Sequence, residues 1–184
     1  MEGRVGLRSW IKNWNSTPAE RAAAYPCDGC RPAGSNAYFR AIGVKASPAL
    51  VYRWLCQLRV APYSYDLLDN RGKRSPRELT PGLEQLSVGD EFLVFLTTEA
   101  IPGDNITGVA SAEIARVYGP ISGTYKIVAQ PDGTSRIVVK LWIGARGRLG
   151  GLKRTVLVIG DLVMMRKQLM TLRGLAERDE CRTA

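Results

Sequence analysis

The alternation of apolar and polar residues is clearest on the two sides of a Gln130-Pro131-Asp132-Gly133 turn signal. Residues 121–129 lead into this turn and residues 135–144 follow it. The second segment places Ile137, Val139, Leu141 and Ile143 on one side and Arg136, Lys140 and Trp142 on the other. Strict alternation around a Pro-Asp-Gly turn predicts a β-hairpin with one buried and one solvent-exposed face.

Three more strands are predicted at residues 38–45, 91–98 and 106–114, where β-branched and aromatic residues are frequent. A helix is predicted from Pro48 to about Leu58, because a serine in the capping position precedes a proline in the first helical position.

The longest helical pattern covers residues 152–178. Its apolar stripe follows helical spacing and comprises Val158, Leu162, Met165, Leu169, Leu172 and Ala176. Residues 155–165 would be apolar on nearly every side of the helix, interrupted only by Gly160 and Asp161. This apolar run is too short to cross a membrane. We therefore expect the first half of this helix to be buried on more than one side.

Strands with short connections, followed by one long apolar helix, predict an α+β domain in which a curved antiparallel sheet wraps around the C-terminal helix. Such packing leaves an internal cavity suited to a ligand. We place this domain at residues 37–178, after an N-terminal arm at 1–36 and before a polar tail at 179–184 that is expected to fray.

The composition is that of a globular protein, with 184 residues, 45% hydrophobic residues and a formal net charge of +9. The N-terminal segment has no apolar core of a signal peptide, so a cytoplasmic location is expected. The basic residues form no long run, which makes nucleic acid an unlikely partner. A homodimer is left open.

The Cys27-Asp28-Gly29-Cys30 spacing matches redox and zinc sites, but the chain has no histidine and no second pair of this kind. The glycine-rich segment 144–151 lacks both the spacing and the strand order of a dinucleotide site. No metal and no cofactor is therefore expected.

Several stretches resemble the START and polyketide-cyclase superfamily, also labelled SRPBCC. They are the Val44–Leu55 segment VKASPALVYRWL, the Gly89-Asp90 turn before a strand, and the strand, glycine-rich loop and long helix at residues 137–175. The resemblance implies the helix-grip fold. It also implies binding of lipids, sterols, polyketides or plant hormones, with cyclisation or dehydration of polyketides in some members.

The leading expectation is therefore that the chain binds a small apolar molecule in an internal cavity. A polyketide cyclase or dehydratase is the first alternative, and a basic module for nucleic acid or a membrane surface is the second. The expected ligand-binding residues are Arg40, Ile42, Tyr63, Tyr65, Phe92, Tyr125, Ile127, Leu141, Met165 and Leu169.

Catalysis would have to start from Tyr63, Tyr65 and Asp66, in a stretch rich in hydroxyl and carboxyl groups that lies near the cavity mouth in the family. Without histidine, a carboxylate with a raised pKa or a tyrosine helped by a cation would be the base. Arg40 is a candidate for that cation. The structural alternative is that Arg40 pairs with Asp66 or Asp69.

Overall fold

A computed structural model describes residues 6–65, 72–144 and 150–183, and these residues contain one seven-stranded sheet. The strand order is β1-β2-β7-β6-β5-β4-β3, and every neighbouring pair is antiparallel except β1 and β2. The strands are β1 (Asn13–Trp14), β2 (Asn36–Val44), β3 (Glu91–Phe92), β4 (Phe95–Ile101), β5 (Asn105–Ala110), β6 (Ile121–Ala129) and β7 (Ser135–Ile143).

Five α-helices lie in the same described segments. They are α1 (Leu7–Lys12), α2 (Pro18–Ala22), α3 (Pro48–Cys56), α4 (Ala112–Tyr118) and α5 (Gly150–Thr183), with 3₁₀ turns at Pro26–Cys30 and Gln57–Arg59. None of the helices in these segments is long and apolar enough to cross a membrane.

The predicted hairpin is confirmed as β6 and β7, with Ile127 opposite Ile137 across the turn. The inner face of β7 is buried as expected, but the prediction of a solvent-exposed outer face is wrong. Val138 and Lys140 are both buried on that face, because the N-terminal arm covers it.

Two predicted strands differ from the observed ones in their bounds. The 91–98 segment is broken into β3 and β4 by a turn in which Leu93 adopts a φ of 55°. The 106–114 segment leaves the sheet at Ala110, and the Ser111 hydroxyl then accepts a hydrogen bond from the Ile114 amide to cap α4. A serine cap thus begins a helix inside the segment that was predicted to be a strand.

Two glycines leave the concave face of the sheet without side chains at one point where β5 and β6 pair. Gly108 lies opposite Gly123. A Cβ atom on Gly108 would lie 2.7 Å from the Leu96 carbonyl oxygen, and one on Gly123 would lie 2.6 Å from Leu141 Cδ2. The absent side chains let Phe95 pack directly against the sheet.

Helix α5 lies on the concave face, as predicted, and its buried stripe includes Leu162, Leu169, Leu172 and Ala176. Val158 belongs to a turn whose side chains are not described.

The residues predicted to form a frayed tail instead continue α5 to Thr183. The Trp54 indole donates to the Asp179 carboxylate at 3.2 Å, and the Ser47 hydroxyl donates to Glu180 at 3.1 Å. These polar contacts to α3 and its cap hold the last turns of the helix. The division into arm, domain and tail remains a prediction.

The N-terminal arm packs on the convex face and buries a lysine there. Lys140 Nζ lies 2.6 Å from the Asp28 carboxylate. Three aromatic rings surround the ammonium group, with Nζ 5.0 Å from the Tyr25 ring centroid, 5.1 Å from that of Trp142 and 5.6 Å from that of Phe39. A cation held between an acid and aromatic faces fixes the arm to the sheet. Trp142 is thus covered by the arm.

We expect Leu169→Ala to lower the free energy of unfolding by about 2–5 kcal/mol, because Leu169 is fully buried between α5 and the sheet. Met170→Ala is the matched control, since the neighbouring Met170 side chain is half exposed and should change stability by less than about 0.5 kcal/mol. Urea unfolding measures both. Equal losses in the free energy of unfolding for the two variants would show that α5 does not pack on the sheet through Leu169.

Asp28→Asn should lower the free energy of unfolding by about 1–3 kcal/mol at neutral pH, because Lys140 loses its ionic partner. Burial opposes ionisation of Asp28, but hydrogen bonds from Lys140, the Tyr25 amide and Trp142 outweigh it, so the pKa of Asp28 lies below its ordinary value. A carboxyl group whose pKa is lowered by folding stabilises the protein at pH values above its ordinary pKa. That stabilisation is lost as the pH falls through the folded-state pKa.

The difference between wild type and Asp28→Asn should therefore shrink as the pH falls below about 4. Urea titrations at neutral and acidic pH measure it. A difference independent of pH would mean that the Asp28 charge does not hold the arm.

Candidate functional site

A cavity of about 580 Å³ lies between helix α5 and the concave face of the sheet. Most of its lining is apolar. The lining residues are Leu58, Arg59, Val60, Ala61, Pro62, Ser64, Leu93, Val94, Phe95, Ile114, Tyr118, Ile121, Tyr125, Leu141, Ile143, Gly160, Asp161, Met164, Met165 and Gln168. The volume is within the range of roughly 300–1,000 Å³ that is usual for ligand sites.

The segment after α3 forms one side of this cavity. Arg59 fixes its start by donating to the Leu83 carbonyl at 3.2 Å and to the Asp90 carboxylate at 3.2 Å. Pro62 follows, and Tyr63 adopts a φ of 55°, so the chain turns sharply beside α5. The opposite rim consists of Val94 in the β3–β4 turn and of helix α4.

Asp161 supplies a carboxylate to the cavity wall. It projects from α5, and its Oδ2 accepts a hydrogen bond from Arg40 Nη2 at 2.9 Å. The Arg40 side chain is completely buried behind it, whereas the Asp161 side chain retains 17% of its exposure. Asp161 lines the cavity and Arg40 does not, so Asp161 is the member of this ion pair that borders the cavity.

The other nitrogen of the Arg40 guanidinium group binds main-chain oxygens. Nη1 donates to the Phe39 carbonyl at 2.8 Å and to the Ile11 carbonyl at 3.0 Å. Burial lowers the pKa of Arg40, yet a guanidinium group remains protonated in proteins. Burial also raises the pKa of Asp161, while the charge and hydrogen bond of Arg40 act in the opposite direction.

A second polar group on the wall joins α5, β6 and the segment after α3. The Tyr125 hydroxyl donates to Gln168 Oε1 at 3.0 Å, and Gln168 Nε2 donates to the Pro62 carbonyl at 2.7 Å. Burial raises the pKa of Tyr125 far above its ordinary value. The phenol therefore stays neutral and serves as a hydrogen-bond donor, not as a phenolate base.

Seven of the ten predicted ligand-binding residues line this cavity or belong to the apolar core beside it. Tyr125, Leu141 and Met165 line the cavity, as the predicted pattern of inward-facing residues requires. Four more belong to the apolar core beside the cavity and do not line it. They are Ile42, Phe92, Ile127 and Leu169.

The predicted aromatic residues after α3 do not meet in this cavity. Tyr63 is buried and lines a separate recess with Thr171 and Leu175. Tyr65 is 40% exposed and lines a groove on the other side of α5. Asp66 and Asp69 lie outside the described residues.

Arg40 pairs with Asp161, whereas the alternative pairing with Asp66 or Asp69 falls outside the described residues. Arg40 shares the inner face of β2 with Ile42 and Val44, as predicted, and this face meets α5.

Within the arm, Cys27 is buried against the sheet and Cys30 is exposed. Burial raises the pKa of the Cys27 thiol, which makes it a poor nucleophile. Within the described segments, no group of three or more histidine, cysteine, aspartate or glutamate side chains could hold a metal ion.

Sequence reasoning missed Asp161 and Gln168 as site residues, and it missed α4 altogether. Asp161 had a usable signal, since it is an acid in the middle of a helical segment that is otherwise apolar on every side. Such an acid must be paired or must face a polar space. Gln168 had no comparable signal.

No protein-family model matches the chain, and no curated protein matches it. Several solved structures do match it in their fold. The di-domain aromatase/cyclase StfQ from the steffimycin biosynthetic pathway aligns with a TM-score of 0.52 at 11% identity, covering 83% of this chain and 54% of that one. This chain has the helix-grip fold.

Protein MLL2253 from Mesorhizobium loti is similar over 78% of this chain and 98% of its own length, with a TM-score of 0.51 at 13% identity. The chain thus spans about half of the StfQ di-domain and nearly all of MLL2253. At these identities the likenesses confirm the predicted helix-grip fold.

Removing one member of the Arg40–Asp161 pair should be strongly destabilising. Asp161→Leu leaves the buried Arg40 charge without its carboxylate, so we expect a loss of about 3–5 kcal/mol in the free energy of unfolding. The double variant Arg40→Met/Asp161→Leu should lose less than the sum of the two single variants. A double-mutant cycle from urea unfolding measures the coupling. Strict additivity would show that the pair does not interact.

Proposed function

We propose that the chain binds a small, mainly apolar molecule in the cavity between α5 and the sheet. The observation that carries the proposal is the cavity itself, whose volume of about 580 Å³ and largely apolar lining suit a molecule of a few fused rings or a short acyl chain. The helix-grip fold is compatible with this function, but the fold alone does not define a ligand.

The polar groups of the wall narrow the chemistry of that molecule. The Asp161 carboxylate can only accept hydrogen bonds when it is ionised. Arg40 holds it from behind through one oxygen. A ligand with a hydroxyl group at one end would donate to this carboxylate, while its apolar body would contact side chains such as Ile121 and Met165. The proposed ligand is therefore an alcohol or a phenol with an apolar body.

A cyclase-like enzyme is the second candidate. The observation in its favour is that burial raises the pKa of the Asp161 carboxyl group, which faces the cavity and could exchange a proton with an enolisable ligand. The Tyr63, Tyr65 and Asp66 set gives it less support, because neither tyrosine lines this cavity. Multiple turnover of a model β-polyketone, abolished in Asp161→Asn, would favour this candidate over binding alone.

The native protein should bind an apolar fluorescent dye such as 1-anilinonaphthalene-8-sulfonate at about one saturable site per chain. Met165→Trp should weaken binding, because Met165 lines the cavity and the larger ring fills it. Met170→Trp is the matched control, since Met170 belongs to the same helix but not to this lining. Fluorescence titration measures both affinities.

Gly160→Leu provides a second way to narrow the cavity without overpacking the core. Gly160 lines the cavity, and a Cβ atom there would meet no atom within 4 Å. The substitution also favours the helix by about 0.5–1 kcal/mol, so lost binding in this variant cannot be attributed to unfolding. Unchanged dye affinity in both Met165→Trp and Gly160→Leu would refute binding in this cavity.

The hydroxyl preference is tested with 1-naphthol and naphthalene, which differ in a single hydroxyl group. Wild type should bind 1-naphthol roughly tenfold more tightly, a difference of about 1.4 kcal/mol. Asp161→Asn should reduce that ratio, since the neutral amide is a weaker acceptor than a carboxylate. A ratio that Asp161→Asn leaves unchanged would remove Asp161 from ligand recognition while leaving the apolar cavity as a binding site.

A further inference from the structure

A second recess lies on the opposite side of α5 from the cavity. It is an apolar groove between α1 and α5, with a volume of about 480 Å³. Leu162 and Ile11 are its least exposed residues. The large apolar side chains along its walls are unusually exposed, at 40% for Trp10, 50% for Val163 and 50% for Met170. Neighbouring exposed apolar residues of this kind mark an interaction surface more often than a solvated one.

The charged residues described in the lining of the groove and on α1 are all basic. Arg166 and Lys167 line it and are exposed. Helix α1 contains Arg8 and Lys12 and no acid. Over residues 159–176 of α5 the sequence has a single acid, Asp161, and that acid pairs with Arg40 on the inner side. The described groove is therefore apolar within and basic at its edges.

We propose that this groove binds an amphipathic helix with acidic flanks, supplied by a partner protein. A recess between two helices receives projecting side chains at helical spacing, which is the usual arrangement when a helix lies in a groove. The basic edges complement an acidic helix and increase its rate of association.

The same observations argue against two other occupants. A second copy of this chain would bring like charges together, because the groove edges are basic and the chain has a formal net charge of +9. A bilayer interface takes up convex apolar faces and presents no fixed side chains at helical spacing that would enter a recess between two helices. An acidic helix fits both the shape and the charge.

The test uses the full chain and two labelled synthetic peptides of about 18 residues, which is about five helical turns. Both peptides have leucine along one face. One has glutamate on the other face and the second has lysine there. We expect the glutamate peptide to bind at one saturable site, at least roughly tenfold more tightly than the lysine peptide. Fluorescence anisotropy measures both affinities.

Val163→Glu places a like charge within the groove and should weaken binding of the glutamate peptide by roughly tenfold or more. Val88→Glu is the matched control, because Val88 is 73% exposed and does not line the groove. Both substitutions lie at exposed positions, and circular dichroism checks that each variant is folded. Arg166→Gln should reduce the salt dependence of binding, since it removes one of the edge charges.

Three results would overturn the proposal. Equal binding of the two peptides would show nonspecific apolar adhesion, and binding unaffected by Val163→Glu would place the peptide elsewhere. Sedimentation with vesicles of anionic phosphatidylglycerol that is lost in Val163→Glu, without peptide binding, would identify a membrane surface instead. Dye binding in the internal cavity does not depend on this groove, so the two proposals fail independently.

Discussion

The contact between helix α5 and the concave face of the sheet is the interaction on which the remaining structure depends. Leu169 and Leu172 are almost completely buried there, and the apolar area they remove from water is the main favourable contribution to packing. The glycines at 108 and 123 leave room beside Phe95 and Leu141, which line the cavity. Because the helix is held firmly along one part of its length, it can stand away from the sheet elsewhere, and the cavity occupies that space.

The convex face of the sheet depends on the N-terminal arm in a comparable way. A lysine on β7 would ordinarily be exposed to solvent. Lys140 is instead buried among aromatic rings and paired with Asp28. The arm also carries Glu20, which pairs with Arg136 on the same face. Two ion pairs from one short segment give the arm a defined register on the sheet, since a shift would leave the buried Lys140 charge without a partner.

The sequence predicted the β6–β7 hairpin and helix α5 because each has a long, regular period that one face of the protein enforces. It did not predict α4, since the β-branched residues between Ile106 and Ile114 favour a strand and the Ser111 cap that begins the helix lies inside that segment. The break at Leu93 depends on a left-handed backbone conformation that leucine rarely adopts. In the site, Tyr125, Leu141 and Met165 followed from alternation and helical spacing, whereas the partner of Arg40 depended on tertiary packing.

The polar residues of the cavity belong to the same helix that closes the core. Asp161, Met165 and Gln168 follow each other at steps of four and three residues, so they lie on one face of α5. Each polar member is held from outside the helix, Asp161 by Arg40 and Gln168 by Tyr125. A helix fixed by polar contacts at two successive points cannot rotate without breaking both. The same bonds therefore orient the cavity wall and set the position of the helix, so the residues proposed to recognise a ligand also hold the fold together.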